Sequence, residues 1–435
     1  MAVGVLMATR KSGLFSETLL HQKVRQKGLD ARDGALAGKI CFGVLQNRAL
    51  LDFYLGEAAH GPIEKLEPWV LDVLRVALYQ MVFLDRVPVR AAVHEAVELT
   101  KGKNPRAAGL VNAVLRRISE RLSNLPEPPG EGTGPYLAIK YSHPLWLVER
   151  FCERLGYGGA EALLGANNAE TPLFAQVNTL QTNTPQVEAK LRDLGVEVLP
   201  HPWLPDCLVF TGAGGLEGLK PFADGDMYIQ DPGARLAVTA AEPRPGMALL
   251  DACAAPGGKS FAAAIQMGDR GVILAGDIQE KKLKLIQEGA KRMGISIIST
   301  RQADAREADF GDEAPFDIVL VDAPCSGFGV IRKKPDIRYK TQAEIAPLPD
   351  IQLAILRGAA RWVKLGGTLL YSTCTLLPEE NEGVVGAFLE ENAAFTPEGF
   401  PLPGEMGQAG EGGITLYPHV HGTDGFFLSK LRRVD

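Results

Sequence analysis

Cysteine is scarce: six residues in 435, at positions 41, 152, 207, 253, 325 and 374, none spaced as CxxC. That density excludes a disulfide scaffold and the spacing carries no zinc signature, so reduced thiols in a cytoplasmic protein are expected. Histidine is equally thin, and none of the seven lies between 201 and 419, which leaves a cysteine hydrolase without a nearby imidazole base. The close pair His419 and His421 reads as locally hydrogen-bonded, and no metal is expected. No apolar run reaches the length of a membrane-spanning helix. The short apolar stretch before Arg10 has the reverse order of a secretory signal. Positive charge is not in excess either: 46 Lys and Arg against 52 Asp and Glu give a net charge of −6. Taken whole, that balance argues against a nucleic-acid partner.

Split along the chain, the charge reads differently. Residues 1–123 carry 18 basic and 12 acidic side chains, net +6, and the remainder carries 28 and 40, net −12. The first part is helical by pattern. In LDVLRVALYQMVFL (71–84) the apolar residues recur at helical spacing, and 89–102 and 109–122 repeat it. Lys101, Lys103, Arg106, Arg116, Arg117 and Arg121 cluster within 21 positions, a basic face that could follow a phosphate backbone. NLPEPPGEGTGP (124–135) is a Pro/Gly linker and hence a domain boundary. From 136 to about 235 helices at 144–156 and 184–195 mix with strand-like runs at 174–179, 196–200 and 227–230, a small α+β module.

From about 245 apolar strands alternate with helices, which predicts a parallel doubly wound sheet. In such sheets ligands bind beyond the carboxyl ends of the strands where strand order reverses. The first strand ends in DACAAPGGKS (251–260), where Gly257 and Gly258 permit close backbone approach at the start of a helix. Asp277 closes the second strand, positioned to accept from ribose hydroxyls, and Asp304 ends the third within reach of an adenine edge. The loop is neither GxGxxG nor GxxxxGKS, which argues against a nicotinamide dinucleotide and against ATP.

Cys325 in DAPCSGFG and Cys374 in YSTCT each follow an apolar strand, so both thiols are expected at the carboxyl rim facing the cofactor crevice. The segment IRKKPDIRYK (331–340) has five basic residues against one acidic. It begins six residues after Cys325 and is expected beside the active site, with Arg332, Lys333, Lys334 and Arg338 on RNA phosphates.

DACAAPGGKS, DAPCSGFGVIRKKPDIR and YSTCT resemble three motifs of the S-adenosylmethionine-dependent RNA cytosine-5 methyltransferases. The similarity extends across the chain to one branch, the bacterial 16S ribosomal RNA methyltransferases of the RsmB (Sun/Fmu) type. LRVALYQMVFLDRVPVRAAVHEAVELTK with GLVNAVLRR resembles the NusB-like N-terminal domain of that branch, and LYPHVHGTDGFFLSKLRR its closing motif. The resemblance implies three domains: an all-α NusB-like RNA-binding domain (1–130), a small α+β RNA-positioning domain (131–235) and a Rossmann-like α/β methyltransferase domain (236–435). It implies S-adenosyl-L-methionine as cofactor, held by Cys253, Ala254, Ala255, Pro256, Gly257, Gly258, Lys259, Asp277, Asp304 and Asp322. It implies 16S ribosomal RNA as substrate; a monomer is expected, although no residue pattern speaks to oligomeric state. Gln176 stands where the family usually carries a basic residue, and GEMGQAGEGG (404–413) has no assigned role.

Cytosine C5 takes a methyl group only after a thiolate adds to C6 and loads electron density on C5. The resemblance puts Cys374 as that nucleophile and Cys325 as the group that helps break the adduct. Asp322 ends a buried strand, and a carboxyl raised by burial could donate a proton to N3. Lys259 could lower the thiolate pKa or hold a phosphate or carboxylate. The target base has to be unpaired or flipped out. Two other classes compete: a ribosome-assembly or transcription factor with an idle methyltransferase fold, and a small-molecule oxidoreductase. The intact loop and both cysteines count against the first, and the loop pattern against the second.

Overall fold

A computed structural model describes residues 1–59, 61–211, 218–307, 310 and 315–435. The chain forms two compact units, residues 1–169 with 331–339, and residues 170–330 with 340–435. Among the described residues no helix is long and apolar enough to cross a membrane.

The first unit is helical. Its helices run Ala2–Ser12, Ser16–Lys27, Ala31–Gln46, Arg48–Ala58, Pro68–Phe83, Val89–Lys103, Ala108–Ser119, Gly134–Lys140 and Leu145–Asn168. Local chemistry sets several ends: Asp30 caps its helix by accepting from Asp33 N, and Gly13 and Gly28 close theirs in the left-handed conformation. The apolar stripes converge on one core that includes Val5, Leu51, Leu55, Leu74, Leu78, Val111 and Leu115. Gly43 lets Ala31–Gln46 approach this core, because a Cβ there would lie 1.9 Å from the Tyr79 ring.

Residues 331–339 belong to this unit, and their burial corrects an expectation. Arg338 is fully buried, and its Nη1 donates to Gln46 O at 2.8 Å, Ser142 O at 3.2 Å and Tyr141 O at 3.3 Å. These carbonyls lie at the C-terminal ends of Ala31–Gln46 and Gly134–Lys140, where helix carbonyls lack internal partners and the dipole favours a cation. Beside it the Tyr339 hydroxyl donates to Leu45 O, the Arg48 guanidinium lies 3.6 Å from the Tyr339 ring centroid, and Asp336 accepts from Ser16 Oγ at 2.6 Å. Arg338 is therefore a structural anchor and not a phosphate contact. Arg332 is also buried, whereas Lys333 and Lys334 are exposed.

The second unit holds two larger sheets. β1 (Leu173–Val177), β2 (Glu197–Pro200), β3 (Cys207–Thr211) and β4 (Met227–Ile229) form an antiparallel sheet in the order β2-β3-β1-β4. The helix Thr184–Asp193 packs Val187 and Leu191 into its core. Periodicity finds three of these strands and misses β3. Gln176 is buried in β1 and donates to Gln230 O at 3.1 Å.

The other sheet is built from β5 (Ala248–Asp251), β6 (Val272–Asp277), β7 (Ile298–Gln302), β8 (Phe316–Asp322), β9 (Val363–Thr373), β10 (Phe395–Glu398), β13 (Ile414–Leu416) and β14 (Phe426–Arg433). Between them β11 (Phe400–Pro401) pairs β12 (Gln408–Ala409) as a small ribbon, which gives part of the unassigned 404–413 stretch its structure. The order is β10-β14-β9-β8-β5-β6-β7, with β13 on β14. β5 to β9 are parallel as predicted, but β14 runs antiparallel to β9, β10 and β13, so the sheet is mixed. Only residues 417–425 connect β13 to β14, too few for a parallel crossover. Both faces of the parallel strands are buried, Leu249, Ile273, Leu320 and Leu370 on one and Leu250, Val319, Leu369 and Tyr371 on the other, which accounts for their continuous apolar runs. The chain winds outward from β5 to β7 and then starts again at β8, so strand order reverses between β5 and β8. The carboxyl ends of these two strands are Asp251 and Asp322.

Candidate active site

Cys253, Ala254, Ala255 and Pro256 lead from β5 into the helix Gly258–Gln266. Ala254 N donates to Gly276 O at 2.8 Å, which ties the loop to β6. Gly257 holds φ at 109°, and a Cβ there would meet the Phe261 ring at 2.6 Å, so the turn needs glycine. Asp277 accepts from Gln279 N at 2.9 Å and Ala255 N at 3.3 Å and remains partly exposed, leaving carboxylate lone pairs for hydroxyl donors. Asp304 is held by Arg306 Nε at 2.9 and 3.1 Å, which keeps its carboxyl below the usual range. Burial pushes the Cys253 thiol up.

Asp251 lies beneath this loop, completely buried, and sequence reasoning passed it over. Oδ2 accepts from Ser260 Oγ at 2.7 Å, whereas Oδ1 has no hydrogen-bond partner among the described residues. Desolvation pushes its carboxyl up to about 6, against the opposing pull of Ser260 and Lys259. Its place in DACAAPGGKS, as the last residue of an apolar strand, was the available signal.

Lys259 occupies the first turn of its helix, where the dipole disfavours a cation, and it is 7% exposed. Asp322 offsets that cost: Lys259 Nζ lies 2.7 Å from Asp322 Oδ2, and Ser372 Oγ donates to Oδ1 at 2.9 Å. The Asp322 side chain is 34% exposed. It accepts from Lys259 in an ion pair and from Ser372 in a hydrogen bond.

The two thiols sit together. Cys325 Sγ and Cys374 Sγ are 3.3 Å apart, in loops after β8 and β9, and both residues are partly exposed. Contact with Cys374 and then desolvation push the Cys325 thiol well up, so Cys325 is held protonated. Gly329 N donates to Cys374 O at 2.9 Å, and Gly425 N to Gly329 O at 2.8 Å. A Cβ on Gly329 would fall 2.0 Å from Gly425 O and 2.8 Å from Cys374 O.

Of the basic residues expected on RNA, Lys101, Lys103, Arg106 and Arg116 are exposed. Lys101 pairs with Glu98 at 2.7 Å and Lys103 Nζ stands 4.5 Å over the Trp69 ring. Arg117 is half-buried and donates to Ala58 O. These residues lie on Val89–Lys103, Ala108–Ser119 and the turn Pro105–Ala107 between them.

The loop, its glycine and the half-satisfied carboxylates fit a ligand bearing ribose hydroxyls and positive charge. Residues 238–432 match the family described as 16S rRNA methyltransferase RsmB/F, residues 1–120 match the NusB family, and residues 143–217 match the RsmF/B-like ferredoxin-like domain. The chain is 36% identical over 441 residues, covering 100% of it, to a Bacillus subtilis (strain 168) protein named probable ribosomal RNA small subunit methyltransferase B, of which 98% is covered. It is 34% identical over 418 residues to ribosomal RNA small subunit methyltransferase B of Salmonella arizonae, with 95% of this chain and 92% of that one covered. The solved structure of PH0851 matches with TM-score 0.81 at 29% identity, over 99% of this chain and 97% of that one. The chain belongs to the RsmB/F family of 16S ribosomal RNA methyltransferases, and S-adenosyl-L-methionine is its methyl donor.

Proposed function

We propose that the protein methylates C5 of a cytosine in 16S ribosomal RNA through a covalent adduct between Cys374 and C6. The observation that carries this reading is the pair of thiols 3.3 Å apart beside the Lys259–Asp322 ion pair. Bound in the crevice, S-adenosylmethionine supplies an electrophilic methyl group. Cys374 Sγ adds to C6 and turns C5 into an enamine carbon, the role of a nucleophilic catalyst. As the bond to C6 forms, a proton passes to N3 through Asp322, which Lys259 contacts at 2.7 Å. C5 then takes the methyl group and N3 returns its proton to Asp322. With Cys374 bound to C6 and no longer holding the Cys325 thiol up, Cys325 ionises to water and takes the C5 proton. The C5=C6 double bond re-forms as the C6–S bond breaks and Cys374 leaves as thiolate. Asp277 serves the ribose hydroxyls and Asp304 the adenine edge.

Lys101, Lys103, Arg106, Arg116, Arg117, Lys333 and Lys334 belong to the same proposal as phosphate contacts. So does the division into an RNA-binding part (1–130), an RNA-positioning part (131–235) and a methyl-transferring part (236–435). The test is incubation of the enzyme with unmethylated 16S RNA and labelled methyl donor. We expect 5-methylcytosine on nucleoside analysis. Methylation of another base, or none with Cys374 intact, refutes it.

A further inference from the structure

We propose that Glu380 is a positioning residue that fixes the two thiols against each other and so decides which of them is the nucleophile. The inference rests on the two-cysteine reading above. Glu380 is 1% exposed and follows the second cysteine by six residues. Its Oε2 accepts from Ser326 N at 2.8 Å, the backbone amide next to Cys325. The same oxygen accepts from Gln352 Nε2 at 2.8 Å, and that amide also donates to Pro324 O at 3.0 Å, on the other side of Cys325. Oε1 accepts from Thr375 Oγ1 at 3.4 Å, the residue after Cys374. Ser326 Oγ and Thr375 Oγ1 close the frame at 2.7 Å. Both carboxylate oxygens thus act as acceptors, and they reach the immediate neighbours of both cysteines. The Glu380 carbonyl in turn accepts from the Tyr371 hydroxyl at 2.7 Å, and Asn381 Nδ2 donates to Thr375 O at 3.1 Å, so the segment that supplies the carboxylate is itself fixed.

The consequence is chemical as well as geometric. A buried carboxylate beside two touching thiols opposes ionisation of Cys325. Glu380 is among the groups that push the Cys325 thiol up, behind Cys374 itself and desolvation. Cys325 stays protonated, which leaves Cys374 as the nucleophile. A scaffold of the same shape without the charge would hold the loops yet lose that asymmetry.

The test uses full-length free enzyme, iodoacetamide as probe, and peptide mass spectrometry to follow alkylation of each cysteine against pH. In the unmodified protein Cys374 is expected to label first. In Glu380→Gln, which keeps the shape, the Cys374-to-Cys325 labelling ratio should fall by about three- to tenfold, the change that loss of a nearby charge makes in thiolate fraction. In the methylation assay kcat should fall with KM for RNA little changed. Glu380→Asp, retaining the charge, should restore most of the ratio. Gln352→Ala serves if Glu380→Gln does not fold, and should shift the ratio the same way by a smaller factor. A ratio unchanged in every folded variant overturns the proposal. Failure of the cytosine-5 reading shows separately, as methylation that survives Cys374→Ala.

Discussion

Replacing Asp251 by Asn tests the electrostatics of the site without touching either thiol. The carboxyl lies at about 6 in the folded protein against an ordinary 3.8, because burial removes it from water and, among the described residues, only Oδ2 has a hydrogen-bond donor to oppose the rise. The folded state therefore holds the proton more tightly than the unfolded chain. The stability this gives is fully present below about pH 4 and is lost as pH rises through 6. At roughly 1.4 kcal/mol per pH unit the difference amounts to about 3 kcal/mol at pH 8. Asparagine is isosteric and does not ionise, so Asp251→Asn should lack this pH dependence, whatever constant cost its amide carries. The assay is thermal unfolding of both proteins at pH 4 and pH 8. Relative to the parent, the variant should gain roughly 6–12 °C between the two pH values, taking 2–4 °C per kcal/mol for a unit of this size. Parallel curves for the two proteins would refute the burial argument.

Three further outcomes are expected. Arg338→Met strips three backbone carbonyls of a buried donor and should destabilise the helical unit by about 2–4 kcal/mol in thermal denaturation, with Arg338→Lys failing to restore it. An unchanged midpoint with weaker RNA binding would return Arg338 to the phosphate contacts. Gly329→Ala drives a Cβ into Gly425 O and Cys374 O; methylation should drop at least about a hundredfold because the thiol is displaced, while circular dichroism stays unchanged. Neutralising Lys101, Lys103, Arg106 and Arg116 together should reduce the slope of log affinity against log salt by about 3, as loss of four phosphate contacts predicts for single-stranded RNA. An unaltered slope removes that face from the RNA path.

The parts of the site carried by short contiguous motifs were legible in the sequence. DACAAPGGKS predicts the loop and its glycine turn because strand, turn and helix start are set by neighbouring residues. Cys325 and Cys374 are foreseen at strand ends because the apolar runs before them are unmistakable. Their mutual distance is not, since it depends on the register of β8 against β9, where Asp322 stands opposite Ser372. Glu380 and Gln352 escaped notice for the same reason: each reaches across dozens of residues to a backbone group of a loop with which it shares no pattern. The surroundings of Asp322 are not legible in its own strand, because the strand is buried while its last side chain is partly exposed, and Lys259 reaches it from another element. Arg338 reads from sequence as one cation in a basic run. Its role follows only from two helix C-termini that converge on it. The antiparallel edge at β14 is likewise a matter of pairing, which alternation of strands and helices does not encode.

The covalent step is tested most directly by the Cys325→Ala variant with 16S RNA and methyl donor, analysed on a denaturing gel. A protein–RNA band that resists denaturation, with the linkage mapped to Cys374, is the predicted result, together with no such band when Cys374→Ala is added. A clean gel for Cys325→Ala, or 5-methylcytosine formed by Cys374→Ala alone, would contradict the assignment of Cys374 as the nucleophile.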